Sequence, residues 1–358
     1  MRIGLYGLPT AGKTFILDAV RKFKVLAGSS LLKTLAPDFH MLTVEEKTNV
    51  RKQLAEQLRD KDNFIMDGHY SFGDEVVFTD EDGELYDIFL YLYVDSAILK
   101  KRLEDSSRNK KYLAFDVEKW QMFELESLRR YCHEHNKDFY VLDNPGKGYF
   151  PDVSVVLDFI DSLAAGYSCV SYARKCAENI LENTEAGIVC LADGDKTLII
   201  EDSSGVLGYK THIFDGNFYT GFQVWRHNRE ITDFLSSIEW TYQSFEKLGI
   251  HFNGSIIERI ERMKVPCFIL TTGYYGIWKE IANELKMPMY CGEQMSAETK
   301  YFIAKILQEQ GIRIVAYGDS MNDYYMLKQA DEGYLIAKSD GTWSRSLKHM
   351  NTEGITVV

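Results

Sequence analysis

The sequence has few of the features that mark exported, metal-clustered or membrane-spanning proteins. Its six cysteines are scattered without a Cys-x-x-Cys pair, which argues against both a zinc site and a disulfide framework. Only six prolines occur, so long disordered linkers are not expected. No run of 18 apolar residues is present, and the N-terminal MRIGLYG lacks a signal-peptide core. We therefore expect a cytoplasmic protein with no membrane partner.

Positive charge is also scarce. The chain carries 41 Lys and Arg against 53 Asp and Glu, which gives a formal net charge of -12. Such a surface repels nucleic-acid backbones and anionic membranes unless a local basic patch intervenes. Small, metal-chelated phosphates are therefore the favoured partners, and nucleic-acid ends are less favoured. Neither the composition nor the net charge predicts an oligomeric state.

Two series of short apolar segments alternate with segments of helical spacing. The segments are 2–6, 63–67, 88–94 and 139–143, then 187–193, 266–271, 312–317 and 333–337. Alternating strands and helices predict parallel sheets with crossover helices, and 358 residues exceed the roughly 250 that one core usually holds. The predicted fold class is α/β with two domains, 1–165 and 166–358, because a predicted helix at 152–164 ends in Ala-Ala-Gly.

The first strand is followed directly by the pattern G-x-x-x-x-G-K-[ST]. Backbone N–H groups of such a loop surround phosphates, and the positive end of the next helix adds to the attraction. Lys13 is expected to reach the outer phosphates of ATP, and the Thr14 hydroxyl to bind Mg²⁺. The predicted nucleotide-binding residues are Gly7, Pro9, Thr10, Ala11, Gly12, Lys13 and Thr14.

The first half as a whole resembles a P-loop kinase of the nucleoside-monophosphate-kinase type. The segment Asn63-Phe-Ile-Met-Asp-Gly-His resembles the second strand of that family, which implies that Asp67 orients Mg²⁺ through water. Residues 88–103 resemble the strand and helix that lead into the lid, which makes Arg102 and Arg108 candidates to neutralise the transferred phosphoryl group. The Thr-Gly-Asp signature and the Pro-Arg after Asp-Gly are missing, so the resemblance implies no particular acceptor.

A second set of charged residues, Asp193-Gly-Asp-Lys-Thr, follows the apolar segment at 188–192. A carboxylate can attack phosphorus and hold it as an acyl phosphate when a divalent cation reduces the repulsion. A second carboxylate two residues later can act as acid and base. Asp193 and Asp195 are the candidates for these roles.

Three further segments carry hydroxyl, ammonium and carboxylate side chains, in the same order along the chain as the motifs of the haloacid-dehalogenase superfamily. They are the strand that ends in Thr271-Thr272-Gly273, a helix opened by Lys300, and Gly318-Asp319-Ser-Met-Asn-Asp323. Residues 185–358 resemble that superfamily, which implies Asp193 as nucleophile, Asp195 as acid and base with a carbonyl on Mg²⁺, and Asp319 and Asp323 at the metal. Thr272 fits the phosphate-binding hydroxyl better than Thr271, and Lys300 fits the charge-balancing lysine better than Lys305.

About 75 residues separate Thr197 from Thr272, far more than one crossover requires, so we predict an inserted helical cap at approximately 200–262. This resembles the phosphoserine-phosphatase branch. The favoured function is a bifunctional enzyme, an ATP-dependent kinase with a Mg²⁺-dependent phosphomonoesterase acting on a nucleotide or other small phosphorylated metabolite. Two alternatives stay open. One is a polynucleotide 5'-kinase and 3'-phosphatase, and the other is a phosphatase regulated by a non-catalytic ATP-binding domain.

Overall fold

The chain divides into two compact units, Met1–Tyr167 and Ser168–Val358. The computed structural model describes residues 1–185, 187–216, 218–238, 241, 244–338 and 340–358. The α/β class is confirmed, because each unit contains a parallel sheet with helices between its strands.

The first unit is built on five parallel strands. The strands of this sheet are β1 (Arg2–Tyr6), β2 (Lys24–Leu26), β3 (Phe64–Asp67), β6 (Ile88–Leu92) and β7 (Asp138–Leu142). A separate antiparallel hairpin consists of β4 (Ser71–Phe72) and β5 (Glu75–Val76). Its helices are α1 (Lys13–Leu17), α2 (Gly28–Leu35), α3 (Val44–Leu58), α4 (Asp80–Leu85), α5 (Ser96–Glu104), α6 (Val117–Glu134) and α7 (Ser154–Ala164). The strand order β2-β3-β1-β6-β7 places β1 in the centre.

The central position of β1 determines where the glycine-rich loop lies. Ile3 and Leu5 of β1 are fully buried, and β1 pairs in parallel with β3, where Leu5 lies opposite Asp67. Both strands end at the same edge of the sheet, so the loop after β1 and the carboxylate at the end of β3 come together there.

The second unit is built on six parallel strands. They are β8 (Ile188–Ala192), β9 (Cys267–Thr271), β10 (Met289–Cys291), β11 (Arg313–Gly318), β12 (Glu332–Leu335) and β13 (Ile355–Val357), in the order β10-β9-β8-β11-β12-β13. The helices are α8 (Cys169–Glu182), α9 (Ser203–Val206), α10 (Gly221–Ser237), α11 (Gly254–Met263), α12 (Tyr275–Leu285), α13 (Ala297–Glu309) and α14 (Met321–Gln329).

Both faces of this second sheet are covered. Val189 and Leu191 of β8 pack into one apolar cluster with residues of α8, α13 and α14, whereas Cys190 and Ala192 pack into another with residues of α10, α11 and α12. This alternation is what a strand buried on both faces requires. The central strands β8, β9 and β11 end side by side, and the acidic motifs follow β8 and β11, whereas Thr272 follows β9.

The segment between β8 and β9 contains helices α9, α10 and α11. It corresponds to the cap range 200–262, of which residues 217, 239, 240, 242 and 243 lie outside the described residues. Within the part of the chain that the structure describes, no single helix is long and apolar enough to cross a membrane. Among the described helices, only α7 and α8 counted together reach the length and apolar composition of a membrane span, and this holds by length and composition alone.

Candidate active sites

The loop after β1 has the backbone that phosphate binding requires. Gly7 has φ 144°, and a Cβ there would lie 2.8 Å from the carbonyl oxygen of Leu92, so only glycine fits without strain. Lys13 begins α1, and the loop therefore leads directly into a helix N-terminus. The Thr10 hydroxyl is buried without a hydrogen-bond partner among the described residues. An incoming phosphate oxygen is a suitable partner for it.

Lys13 is buried, and its ammonium group donates hydrogen bonds to the carbonyl oxygens of Gly7 and, at 3.3 Å, Leu8. Burial lowers the pKa of Lys13 to about 8, although Glu124 and Asp67 act in the opposite direction. Carbonyl oxygens are weak partners for a buried ammonium group compared with phosphate. The loop therefore holds Lys13 beside the position that phosphates would take.

Asp67, Arg102 and Arg108 differ in their surroundings. The Asp67 carboxylate accepts a hydrogen bond from the backbone N–H of Gly28 at 2.9 Å, at the edge of the sheet near the loop. Arg102 donates to the carbonyl oxygens of Thr10 and Ala11 at 3.3 and 2.9 Å. Arg108 is exposed and lines a cavity with the loop. The structure thus places all three near the loop, and their predicted roles stay predictions.

The loop opens onto a cavity of about 910 Å³. This volume is at the upper end of what small-molecule sites occupy. Several cationic side chains line it besides Lys13, namely Lys33, Lys47, Arg51, Arg108 and Lys111. None of these five forms an ion pair with another described residue, although Glu75 and Asp82 also line the cavity. A second cavity, of about 380 Å³, is lined by Arg102 and Tyr149, whose guanidinium and ring centroid are 5.1 Å apart.

Two ionisable residues near Lys13, one buried and one half-buried, were not among the predicted site residues. Glu124 on α6 is fully buried and accepts hydrogen bonds from the N–H and hydroxyl of Ser71 at 2.8 and 2.9 Å. Burial raises its pKa. His69 lines the larger cavity with a buried Nδ1 that lacks a partner among the described residues, and burial together with Lys13 lowers its pKa well below its usual value. Only the Asp-Gly-His sequence could have indicated His69, and nothing in the sequence indicates Glu124.

In the second unit, one lysine joins two of the predicted carboxylates. The Lys300 ammonium group donates to Asp193 Oδ1 at 2.5 Å and to Asp323 Oδ1 at 2.8 Å, and all three side chains are buried. Burial lowers the pKa of Lys300, but the two carboxylates outweigh this and raise it above its usual value. Lys300 is the fourth residue of α13 and does not open that helix as expected, because Ser296 caps the helix four residues earlier.

Asp319 completes an acidic cluster with Asp193 and Asp323. One carboxylate oxygen from each of the three lies within 4.8 Å of the others. Burial and then the charge of Asp323 raise the pKa of Asp193 to about 6, and burial with both neighbours raises the pKa of Asp319 well above its usual value. Mutual repulsion at this range is what a divalent cation removes, and three hard oxygen ligands suit Mg²⁺. The donor set therefore fits the predicted metal.

Asp195 lies outside this cluster, and its side chain is bound to the start of the predicted cap. Its Oδ1 and Oδ2 accept hydrogen bonds from the N–H and the hydroxyl of Ser203 at 3.1 and 3.0 Å. Burial, with smaller contributions from Asp202 and Asp193, raises the pKa of Asp195 to about 7. A carboxyl group with this pKa can both donate and accept a proton near neutrality.

The two candidate threonines at the end of β9 have different partners. The Thr271 hydroxyl accepts from the N–H of Gly273 at 3.0 Å and is buried. The Thr272 hydroxyl is half-buried and accepts from Asn322 Nδ2 at 3.3 Å, which places it next to the acidic loop after β11. The buried Asn322 Oδ1 lacks a partner among the described residues. Asn322 was not among the predicted site residues, although it lies inside the quoted acidic motif.

The fold and the two sites define an α/β protein with a phosphate-binding loop in one unit and a lysine-neutralised acidic cluster in the other. Residues 6–116 match the family model described as AAA domain, and this match includes the glycine-rich loop. No curated protein matches the chain.

Solved structures similar to parts of the chain include phosphatases and a kinase. One is a substrate-bound phosphoserine phosphatase, with 15% identity, TM-score 0.31, and coverage of 44% of this chain and 90% of that one. A second is a HAD family hydrolase from Salmonella enterica subsp. enterica serovar Typhi, with 17% identity, TM-score 0.34, and coverage of 52% and 76%. A third is shikimate kinase from Acinetobacter baumannii in complex with shikimate, with 14% identity, TM-score 0.29, and coverage of 52% and 95%.

Proposed function

We propose that this chain is a bifunctional enzyme, in which an ATP-dependent kinase is joined to a Mg²⁺-dependent phosphomonoesterase that acts on small phosphorylated metabolites. The observation that carries the proposal is the arrangement around Asp193. Lys300 neutralises this carboxylate, Asp319 and Asp323 stand beside it at metal-binding distance, and Asp195 is held separately with a pKa of about 7. These residues are the candidates for a nucleophile, a cation site and an acid/base group, and their proximity supports the proposal.

The phosphatase reaction follows from these positions in two steps. Mg²⁺ held by Asp193, Asp319 and Asp323 would supply the positive charge that lets an anionic phosphate approach a carboxylate. A carboxylate oxygen of Asp193 attacks phosphorus, the ester P–O bond breaks, and the leaving alcohol oxygen takes its electron pair and a proton from Asp195. Water then attacks phosphorus and gives a proton to Asp195, while the bond between phosphorus and Asp193 breaks and phosphate leaves.

The kinase half of the proposal rests on the loop and the cavity of the first unit. Lys13 and the backbone N–H groups of the loop 7–14, except at Pro9, which has no N–H, would bind the phosphates of ATP. Thr14 and Asp67 are the candidates to hold its Mg²⁺. The cavity has room for an acceptor, and its five unpaired cations favour one that carries an anionic group. Arg108 and Arg102 are the candidates to neutralise the transferred phosphoryl group. The cytoplasmic location stays a prediction.

A pair of single substitutions tests both halves in the full-length chain. Asp193→Asn removes the nucleophile, so phosphate release from small phosphomonoesters should fall by about 10³-fold or more, while ATP binding persists. Lys13→Ala removes a charge at the phosphates, so acceptor phosphorylation should fall by about 10²-fold or more, while phosphatase activity persists. Phosphate release and ³²P transfer from ATP to a metabolite mixture are the two measurements.

The results that oppose the proposal are separate for each half. If hydrolysis survives in Asp193→Asn, the assignment of the nucleophile is wrong. If ATP binds to the wild-type chain but no phosphorylated acceptor forms, and Lys13→Ala changes phosphatase activity, the first unit is a regulatory module.

A further inference from the structure

A hydrogen-bonded chain of three side chains ends at the proposed acid/base residue Asp195. Trp278 Nε1 lies 3.2 Å from the Ser203 hydroxyl, and this hydroxyl lies 3.0 Å from Asp195 Oδ2. Trp278 and Ser203 are both completely buried, on α12 and at the first residue of α9. The proposed mechanism assigns no role to either residue.

The direction of these hydrogen bonds follows from the chemistry of the groups. The indole N–H of Trp278 can only donate, so the Ser203 oxygen must accept from it. The single hydroxyl proton of Ser203 is then left for Asp195 Oδ2, while the Ser203 N–H donates to Oδ1. Both oxygens of the Asp195 carboxyl group are thereby held by one residue, which fixes the orientation of its plane.

The indole ring of Trp278 packs directly against the backbone of two loops next to Asp195. A Cβ on Gly194, between Asp193 and Asp195, would lie 2.4 Å from the Trp278 ring, and a Cβ on Gly273 would lie 2.1 Å from Trp278 Nε1. Real side chains do not approach so closely, so the ring occupies the space that these two glycines provide. The indole therefore cannot shift without moving the loops that carry the nucleophile and Thr272.

We infer that Ser203 is a positioning residue for Asp195, and that Trp278 in turn fixes Ser203. This inference rests on the proposed phosphatase function and goes beyond it, because it states how the acid/base group is aimed at the leaving oxygen. Ser203 is also the first residue of the first helix in the predicted cap. The orientation of the acid/base group is therefore linked to the place where the cap begins.

The leaving group offers a test that separates positioning from folding. An alkoxide is strongly basic and needs a well-placed proton donor as the ester bond breaks, whereas p-nitrophenolate is weakly basic and leaves almost without one. The ratio kcat/KM covers the steps through the departure of the leaving group. Loss of positioning should therefore affect an alkyl phosphate far more than p-nitrophenyl phosphate.

The experiment compares kcat/KM for p-nitrophenyl phosphate with that for the best-hydrolysed ester of an alkyl phosphate panel, using the full-length chain and Mg²⁺. The panel contains glycerol phosphates, sugar phosphates and nucleoside 5'-monophosphates. For Ser203→Ala we expect a loss of roughly 10- to 100-fold on the alkyl ester and of less than about 3-fold on p-nitrophenyl phosphate. Trp278→Phe, which keeps a ring but removes the N–H, should show the same selectivity with a loss of about 10-fold.

Ser204→Ala is the matched control, because its hydroxyl lies 3.4 Å from His227 Nε2 and is not bonded to Asp195. It should leave the ratio between the two esters unchanged. Equal losses on both esters in Ser203→Ala, or no loss on either, would overturn the inference, and a folded Trp278→Phe variant without ester selectivity would overturn the part that concerns Trp278. If the wild-type chain hydrolyses neither ester, the proposed function itself fails, which is a distinct result.

Discussion

At the scale of single residues, Lys300 is the group on which the acidic site depends most. It is completely buried and has Asp193 and Asp323 as hydrogen-bond partners. Removing one member of a buried ion pair leaves the remaining charges without compensation, which costs far more than the intact pair contributes. Because two carboxylates share this lysine, its loss leaves two buried charges.

We therefore predict that Lys300→Met destabilises the protein by roughly 3–5 kcal/mol, since methionine fills the space without supplying charge. For a unit of this size the melting temperature should fall by roughly 10 °C in metal-free buffer. Mg²⁺ should recover part of the loss, because a cation replaces some of the missing positive charge. Thermal unfolding with and without Mg²⁺ is the measurement.

Lys305→Met on the same helix is the matched control for this prediction. Lys305 is half-buried, and its ammonium group lies 6.0 Å from the centroid of the Phe302 ring. We expect a change of less than about 1 kcal/mol that does not depend on Mg²⁺. A Lys300→Met variant as stable as the wild type would contradict the prediction.

The sequence predicts the residues of the acidic site because their motifs follow strands, and parallel strands of one sheet end at a shared edge. Asp193, Asp319 and Asp323 come together for that reason. Ser203 and Trp278 could not be predicted in the same way. The hydrogen bond between Trp278 and Ser203, which is bonded to Asp195, depends on packing between α9 and α12. No spacing rule places a residue of an inserted segment against one that lies 75 positions further along the chain.

At the scale of secondary-structure elements, the strands of four or more residues were predictable and the shorter strands were not. The predicted segments at 2–6, 88–94, 187–193 and 312–317 contain β1, β6, β8 and β11 or overlap them closely. The strands missed in the two parallel sheets, β2, β10 and β13, have three residues each and lie at the edges of their sheets, and the missed strands of the hairpin, β4 and β5, have two each. Three residues carry too little periodicity to distinguish a strand from a loop, and pairing with the sheet determines their conformation.

Helix α10 of the predicted cap carries a buried histidine that makes its stability depend on pH. His227 is buried, its Nε2 lies 3.4 Å from the Ser204 hydroxyl, and its ring packs against Tyr209 and Phe214. Burial lowers the pKa of His227 to about 4, although Asp202 and Glu230 act in the opposite direction. The folded protein therefore favours the neutral imidazole.

The sign of the effect on stability follows from linkage. Below the ordinary histidine pKa of 6.5, the unfolded chain binds a proton that the folded chain does not bind until about pH 4. Stability should therefore be complete above pH 6.5 and fall by roughly 3 kcal/mol in total as the pH drops to 4. In His227→Gln this contribution is absent, so the difference in melting temperature between wild type and variant should shrink from pH 7 to pH 4.5.

His251→Gln provides the control, because the ring of His251 is exposed and lies 2.8 Å from a Glu201 oxygen at the surface. This variant should keep the acid sensitivity of the wild type. If the melting temperatures of wild type and His227→Gln instead differ by the same amount at every pH, the histidine does not remain neutral in the folded protein.

At the scale of the whole molecule, net charge and local charge have opposite signs. The chain carries -12 overall, yet the larger cavity of the first unit is lined by Lys33, Lys47, Arg51, Arg108 and Lys111. Positive charge gathered around one cavity of an acidic protein attracts a small anion, whereas the long backbone of a nucleic acid also meets the negatively charged remainder of the surface. At the cavity of the first unit this distribution favours a small anionic acceptor, and the net charge of -12 disfavours nucleic-acid ends for the chain as a whole.

Salt dependence distinguishes these two substrate classes. A protein that binds a nucleic-acid backbone through 6–10 phosphates loses roughly 10³–10⁵ in affinity between 50 and 200 mM salt. The reason is that binding releases counterions from the backbone, and this release is less favourable at higher salt. We predict instead that kcat/KM for a nucleoside 3'-monophosphate changes less than about 10-fold over this range, since few charges meet in a small site. We also predict no preference for a 3'-phosphorylated oligonucleotide at 50 mM salt. The measurement is phosphate release from both esters at fixed Mg²⁺, with Asp193→Asn as the blank. An oligonucleotide preference at 50 mM that disappears at 200 mM would instead identify nucleic-acid ends as the substrate, because only an extended backbone can supply a charge contact that salt removes so steeply.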